Sequence, residues 1–143
     1  MQGKHQELTG RIIEAFYEVY GRMGYGFLEN VYERSMMIEL TKLGLEVMRQ
    51  APIKVYYDGQ DVGEYYADLL VDEKVIVELK ATRALAAENE AQLLNYLKAT
   101  RYEVGLFLNF GPKPQIKRKV YDNDLKGTLS WTSSIADPDD ENA

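Results

Sequence analysis

Cysteine is absent from this 143-residue sequence, and His5 is its only histidine. Disulfide scaffolds, zinc ribbons, iron–sulfur clusters and cysteine nucleophiles are therefore excluded, and the usual general base is missing unless His5, in a short polar N-terminus, serves. Long apolar runs are missing too: no stretch approaches the roughly 18 residues of a membrane span, and the N-terminus resembles no secretory signal. The sequence therefore predicts a protein located in the cytoplasm, without a membrane partner.

Basic residues are scarce, with 17 Lys and Arg against 23 Asp and Glu, which gives a net charge of −6. Taken alone, this balance argues mildly against a nucleic-acid-binding protein. Residues 137–143 hold four of the acids, no base and nothing apolar to bury, so we expect a disordered acidic tail. The preceding residues 1–136 fit a single domain, long enough to bury a core without a metal or disulfide.

Hydrophobic spacing changes along the chain from helical to strand-like and back. Helical spacing covers residues 7–23, 28–43 and 87–100. Strands are indicated at residues 46–57, 62–71, 74–80, 104–110 and 116–121, and more weakly at 129–131. Gly44, just after the second helix, suits a left-handed C′ position. The inward-facing residues expected in that helix are Leu28, Val31, Tyr32, Met36, Leu40 and Leu43. The order ααβββαββ predicts an α/β (α+β) domain with a mixed β-sheet flanked by helices.

Two acidic residues interrupt an otherwise apolar β-hairpin. Asp68 lies in the second predicted strand, and Glu78 shares one face of the third strand with Lys80. One interpretation is an exposed outer face with a weak Glu–Lys pair. The alternative is a site in which Asp68 and Glu78 bind a hard divalent cation, Mg²⁺ or Mn²⁺, with Lys80 beside it.

The length of the hairpin turn tests the metal interpretation. A two-residue turn at Asp72-Glu73 would place Asp68 opposite Val77 and point it away from Glu78. A three-residue turn that includes Lys74 would place the two carboxylates directly across from each other, with Cβ atoms roughly 5 Å apart. Bare carboxylates at that separation repel, so a cation between them would explain the arrangement. We therefore expect the three-residue turn or a compensating bulge.

Asp68 and the run Glu78-Leu79-Lys80 resemble the D…(D/E)-x-K signature of the PD-(D/E)XK nuclease superfamily. Gln92 and Tyr96 strengthen the resemblance, because they match the Q-x-x-x-Y motif of the recombination-exonuclease branch. They also lie on the helix after the hairpin, as that branch requires.

A third motif lies upstream. Gly26, Glu29 and Tyr32 resemble the G-x-x-E-x-x-F/Y motif of the small GxxExxF family within the superfamily, with Tyr in place of Phe. The resemblance covers about residues 8–120 and implies a restriction-endonuclease-like core.

For the metal, the resemblance implies that Asp68, Glu78 and the backbone carbonyl of Leu79 are ligands. Glu29 would be a further metal or water ligand. From its position alone, Glu29 could equally be an ordinary carboxylate in the first turn of a helix, where the helix dipole favours negative charge.

For catalysis, the resemblance implies that Lys80 favours the hydroxide form of the attacking water. Gln92 and Tyr96 would orient Lys80, the phosphate or the DNA backbone. They are four residues apart and share one face of a helix, so an ordinary polar helix surface is the alternative.

Basic residues near the end of the third helix and around the last strand are the candidate DNA contacts. They are Lys98, Arg101, Lys113, Lys117, Arg118 and Lys119. Lysines on an edge strand also prevent aggregation, which is the simpler explanation; a phosphate track would instead make binding steeply dependent on salt. No base-reading motif is present, so we expect recognition of DNA structure or ends. Apart from the tail and three candidate site residues, 16 of the 23 acids remain against 17 bases, so the net charge does not describe a surface that repels DNA.

Three functions stay open at this level. The first is a Mg²⁺-dependent nuclease acting on DNA in repair, recombination or defence. The second is a catalytically weak nucleic-acid-binding or protein-interaction module that keeps the nuclease fold. The third is a structural subunit, for which Tyr56, Tyr57, Tyr65 and Tyr66 would form a homodimer face. The complete set of motif residues favours the first function, and the net acidity favours the second.

Overall fold

The computed structural model describes residues 3–127. Its helices are α1 (Gln6–Met23), α2 (Glu29–Lys42) and α3 (Ala87–Ala99). Its strands are β1 (Val47–Tyr57), β2 (Gln60–Val71), β3 (Val75–Lys80), β4 (Val104–Phe110) and β5 (Pro114–Val120), and a 3-10 turn follows at Asn123–Leu125. The predicted order ααβββαββ is confirmed. The strand predicted at 129–131 and the acidic tail predicted at 137–143 lie outside the described residues.

All five strands join one mixed sheet in the order β1-β2-β3-β4-β5. The first three strands are antiparallel neighbours, β4 pairs with β3 in parallel, and β5 returns antiparallel to β4. A parallel pair needs a crossover connection, and α3 supplies it. The last strand is therefore an edge strand, as its lysines indicated.

The sheet separates two hydrophobic cores. On one face, α1 and α2 cover Val75, Val77 and Leu79 of β3. On the other face, α3 covers Ile76 of the same strand. This alternation confirms the predicted assignment of β3 to two faces, and it places Glu78 and Lys80 on the side of Ile76 at the end of the strand.

Tyr32 fixes the loop that leads into α2. Its hydroxyl donates to the carbonyl of Gly24 at 2.7 Å and accepts the N–H of Phe27 at 3.2 Å, while its ring stacks on Phe110 with centroids 4.2 Å apart. Gly26 within the loop has φ +120°, which strongly favours glycine. These contacts give the spacing of the G-x-x-E-x-x-F/Y motif a structural reason: they hold the start of α2, where Glu29 is the first residue.

Gly44 ends α2 as predicted, with φ +80°. Its N–H donates to Thr41, and the N–H of Leu45 donates to Leu40, so the last carbonyls of the helix are satisfied in a Schellman arrangement.

The prediction for Leu28 is wrong. It lies just before the helix begins, outside the apolar stripe, and its side chain is 77% exposed.

Gly105 sets the distance between α3 and the sheet. A Cβ added at this position would lie 2.7 Å from Cδ1 of Leu93, so the helix packs directly on the backbone of β4. This close approach brings the side chains of α3 near the ends of β2 and β3.

Within residues 3–127, no helix is both long and apolar enough to cross a membrane.

Candidate active site

The β2–β3 hairpin brings Asp68 and Glu78 together. Its turn spans residues 72–74, and the ladder beside it pairs Leu69 with Val77. One step further in the same register, Asp68 faces Glu78. The predicted three-residue turn is therefore confirmed, and with it the expectation that both carboxylates lie side by side.

Backbone N–H groups hold both carboxylates in place. The N–H of Asp68 donates to Oε2 of Glu78 at 2.7 Å, and the N–H of Leu79 donates to Oδ2 of Asp68 at 2.7 Å. Each carboxylate thus uses one oxygen to tie the two strands together. Within the described part of the chain, no N–H donor bonds to Oδ1 of Asp68 or Oε1 of Glu78. These two oxygens are therefore available to a cation.

A bend in the β1–β2 ribbon lies at Asp68. Leu69 packs in the core under α1 and α2, whereas Ala67 packs in the core under α3. On a straight strand, side chains two residues apart point to the same side of the sheet. Ala67 and Leu69 point to opposite sides, so β2 is bent between them. Gln50, the counterpart of Asp68 in β1 by the flanking pairs, has φ +53°. Such a backbone costs a non-glycine residue about 1–2 kcal/mol, and strain of this kind concentrates at functional sites.

Burial raises the pKa values of both carboxyl groups. Glu78 is only 7% exposed. Its burial, followed by the charge of Asp68, raises its pKa to about 8. Burial also raises the pKa of Asp68, with smaller contributions from Glu33 and Glu29. Without a cation, the pair therefore retains a proton at neutral pH.

Lys80 and Glu29 complete the group predicted from the motifs. The ammonium of Lys80 lies 3.8 Å from Oε1 of Glu29, and both side chains are partly exposed. Glu29 comes from the start of α2 and Lys80 from the end of β3, so the contact joins two separate elements. The fold thus brings Asp68, Glu78, Lys80 and Glu29 to one end of the sheet, while their chemical roles stay predictions.

Glu33 is an acidic residue of this region that the sequence analysis did not single out. It lies one helical turn after Glu29 and is only 6% exposed. Its carboxylate accepts a 2.5 Å bond from Nε of Arg49 and 3.3 Å bonds from the amide of Gln50. Glu33 thereby anchors the strained residue opposite Asp68. The sequence could have pointed to Glu33, because it is four residues after Glu29 and residues four apart share one face of a helix.

Gln92 and Tyr96 lie on α3, over the second core. Gln92 is exposed, whereas Tyr96 is buried with its ring centroid 5.8 Å from that of Tyr65. Burial, followed by the charges of Glu78 and Asp68, raises the pKa of Tyr96 to about 12. Tyr96 packs in the same core as Ala67, the residue before Asp68.

The predicted DNA contacts lie in two places. Lys98 and Arg101 lie at the end of α3, and the other four lie along or just before the edge strand β5. Lys119 pairs with Glu90 at 2.8 Å, and Arg118 donates to the carbonyl of Lys4. Lys119 and Arg118 therefore have partners within the protein, and the role of all six residues in binding DNA stays a prediction.

The donor set fits a hard divalent cation. Asp68 and Glu78 offer oxygen ligands at a site where cysteine and histidine are absent, which is the chemistry that Mg²⁺ and Mn²⁺ prefer. Their raised pKa values mark a place where a nearby positive charge would relieve a large electrostatic cost. In residues 3–127, no group of three or more acidic or histidine side chains is arranged to hold a metal ion. Ligation by Glu29 and the Leu79 carbonyl therefore stays a prediction.

Comparisons with known proteins found one family match and one similar solved structure. The sequence profile of the PD-(D/E)XK nuclease superfamily matches residues 6–119. A solved structure titled "Crystal structure of SSO0001" is similar at 12% sequence identity and a TM-score of 0.44, over 83% of this chain. This chain aligns with 60% of that protein's length. No curated protein sequence matches significantly.

Proposed function

Because the chain belongs to the PD-(D/E)XK nuclease superfamily, we propose that it is a metal-dependent nuclease that hydrolyses phosphodiester bonds in DNA. The observation that carries the proposal is the buried Asp68–Glu78 pair, held by the 2.7 Å bonds of the bent hairpin with one oxygen of each carboxylate available. Asp68 and Glu78 would hold Mg²⁺ or Mn²⁺, with the Leu79 carbonyl and Glu29 as further ligands. A bound divalent cation supplies an activated water and offsets the charge that develops on the phosphorus.

Lys80 would act beside the carboxylate pair. Its ammonium lies 3.8 Å from Oε1 of Glu29. A fixed positive charge there would favour hydroxide over water as the attacking group, while the P–O bond opposite the incoming oxygen breaks. Gln92 and Tyr96 would position the DNA backbone from α3. The proposed DNA contacts are Lys98, Arg101, Lys113, Lys117, Arg118 and Lys119.

Cleavage assays test this proposal. Labelled single-stranded, double-stranded and branched DNA would be incubated with the full chain in Mg²⁺, in Mn²⁺ and in EDTA. We expect cleavage only with a metal ion, and a loss of at least about 100-fold in Glu78→Ala and in Lys80→Ala. Lys74→Ala is the matched control, since Lys74 is an exposed lysine in the turn that precedes β3. It should cleave at the wild-type rate.

A second measurement separates the roles of the two residues. Thermal denaturation with and without Mg²⁺ reports metal binding independently of turnover, because a ligand that binds the folded state raises its stability. Lys80→Ala should keep the Mg²⁺-dependent rise in melting temperature, whereas Glu78→Ala should lose it. Equal traces of cleavage by wild type and both variants would contradict the nuclease proposal.

A catalytically weak DNA-binding module is the second candidate. The observation that favours it is that residues 3–127 contain no group of three or more acidic or histidine side chains arranged to hold a metal ion. Such a module would bind the same DNA molecules in a separate binding assay, with no cleavage in either metal and no Mg²⁺-dependent rise in melting temperature.

A further inference from the structure

A groove of about 660 Å³ runs between the β1–β2 ribbon and α3. Its volume lies within the roughly 300–1,000 Å³ of typical ligand sites. Its ribbon wall is mostly apolar and aromatic, and its helix wall mixes small and polar side chains. Its lining includes Tyr56, Gly63, Tyr65, Gln92, Tyr96 and Lys98.

The groove borders the core that lies beside the candidate active site. Gln92 and Tyr96, the two residues of the Q-x-x-x-Y motif, line it. Tyr96 also packs in the core on this side of the sheet with Ala67, the neighbour of Asp68 in β2. A chain molecule that occupied the groove would therefore lie close to the strand that carries Asp68.

Aromatic rings line the groove beside an open stretch of strand. The Tyr65 side chain is 50% exposed, and its ring tilts 43° from that of Tyr96 at a centroid distance of 5.8 Å. Gly63 adds no side chain to the wall, and a Cβ built there would meet only the Tyr65 ring, at 3.8 Å. The groove thus offers an accessible ring face next to free space, which is how single-stranded nucleic acid is bound through its bases.

Charge and shape favour one form of nucleic acid. Among the described residues that line the groove, Lys98 is the one cation and Glu88 the one anion, so phosphate contacts alone would hold neither a duplex nor a single strand, and base contacts decide between them. The bases of a duplex are stacked on each other and present no free face to a tyrosine. An unpaired base does present one, and Lys98 can contact a neighbouring phosphate.

We propose that this groove binds the unpaired bases of single-stranded DNA and leads the strand to the Asp68–Glu78 pair. The inference rests on the proposed function, because it specifies the form of the substrate. It competes with the prediction that the tyrosines of β1 and β2 form a homodimer face. It leaves Tyr57 and Tyr66 for that role, since neither lines the groove.

Binding in EDTA tests the proposal without any cleavage. The probes are a fluorescent oligothymidylate of about 12 nucleotides, the same strand with abasic sites at its central positions, and a hairpin duplex of equal phosphate number, at about 50 mM salt. We expect wild type to bind the thymidylate about tenfold more tightly than the abasic strand, from the stacking of at least one base. The thymidylate should also bind more tightly than the duplex.

Tyr65→Leu should weaken thymidylate binding about tenfold and abolish the preference over the abasic strand, because the base loses its aromatic partner. Tyr65→Phe should restore both. Tyr66→Leu is the matched control, since Tyr66 is the next residue in β2 and its side chain is 51% exposed. It should bind like wild type.

Gly63→Leu provides a second route to the same conclusion. The leucine side chain would fill the groove from the ribbon wall. The atom nearest to its Cβ would be Cε2 of Tyr65 at 3.8 Å, which is an ordinary contact distance. We expect it to remain folded by circular dichroism and to lose the preference for the thymidylate. The proposal is overturned if wild type does not discriminate the thymidylate from the abasic strand, or if Tyr65→Leu and Tyr66→Leu behave alike. These measurements need no turnover. A protein that cleaves no DNA would therefore contradict the nuclease proposal and not the groove proposal. An active nuclease that does not discriminate the thymidylate from the abasic strand would contradict only the groove proposal.

Discussion

Replacing Glu78 by Gln should stabilise the metal-free protein at neutral and alkaline pH. Glu78 is buried against Asp68, and its pKa rises from 4.5 to about 8 in the folded protein. Glutamine keeps the shape and an oxygen that can accept the N–H of Asp68, now bonded to Oε2 of Glu78 at 2.7 Å. The substitution therefore removes the charge and retains the contact.

The sign follows from proton binding. Between pH 4.5 and about 8, the folded protein holds a proton on Glu78 that the unfolded chain has released. Stability falls with rising pH wherever the folded state binds more protons. The Glu78 carboxyl therefore costs the folded protein no stability below pH 4.5. The loss of stability grows between pH 4.5 and about 8 and is constant at higher pH.

The magnitude follows from the same two values. At about 1.4 kcal/mol for each tenfold change in the ionisation constant, the full penalty is about 5 kcal/mol, and at pH 7 it is about 3 kcal/mol. A domain of this size has a total stability of about 5–15 kcal/mol, so the effect is large enough to measure. We expect Glu78→Gln to be about 3 kcal/mol more stable than wild type at pH 7 and nearly equal to it at pH 4.5.

Urea denaturation in EDTA between pH 4.5 and pH 9 measures this difference. Glu64→Gln is the control, because it removes one carboxylate from an exposed position of the same strand, β2. It should change the free energy of unfolding by less than about 0.5 kcal/mol throughout. A Glu78→Gln variant whose stability runs parallel to wild type from pH 4.5 to pH 9 would refute the argument that burial and Asp68 set the Glu78 pKa.

Three further predictions concern the surroundings of the pair. Mg²⁺ should raise the melting temperature of wild type at pH 8 and leave that of Asp68→Asn unchanged, as differential scanning fluorimetry would show; equal shifts would place the metal elsewhere. Arg49→Ala should cost about 3 kcal/mol in urea denaturation and Glu33→Gln only about 1 kcal/mol, because the first leaves the buried Glu33 carboxylate without its cation; the reverse order would contradict this account. Gly105→Ala should destabilise the protein by about 1–3 kcal/mol in urea denaturation, since its Cβ would lie 2.7 Å from Leu93. Gly63→Ala is the control: its Cβ would have only a 3.8 Å contact, so it should change the stability by less than about 1 kcal/mol.

Local chemistry explains why much of the fold could be predicted. The alternation of β3 assigned Val75 and Ile76 to opposite faces, because side chains of a strand alternate whatever lies beyond it. Gly44 marked the end of α2, since a left-handed C′ residue strongly favours glycine. Leu28 was assigned wrongly because periodicity alone does not show where a helix begins.

The sequence by itself determined the element order and the superfamily, and it left two lengths open for the turn between β2 and β3. The structure has the three-residue turn, which pairs Asp68 with Glu78. Only the tertiary structure decided what surrounds the pair. The bend at Gln50, the anchoring of that residue by Glu33 and the closeness of Glu29 to Lys80 depend on contacts between elements that are distant in the chain. The groove beside Tyr65 likewise lies between β1–β2 and α3, which are brought together by the packing of α3 on the sheet. Periodicity and motif spacing describe one segment at a time, whereas burial, pKa values and grooves arise where several segments meet.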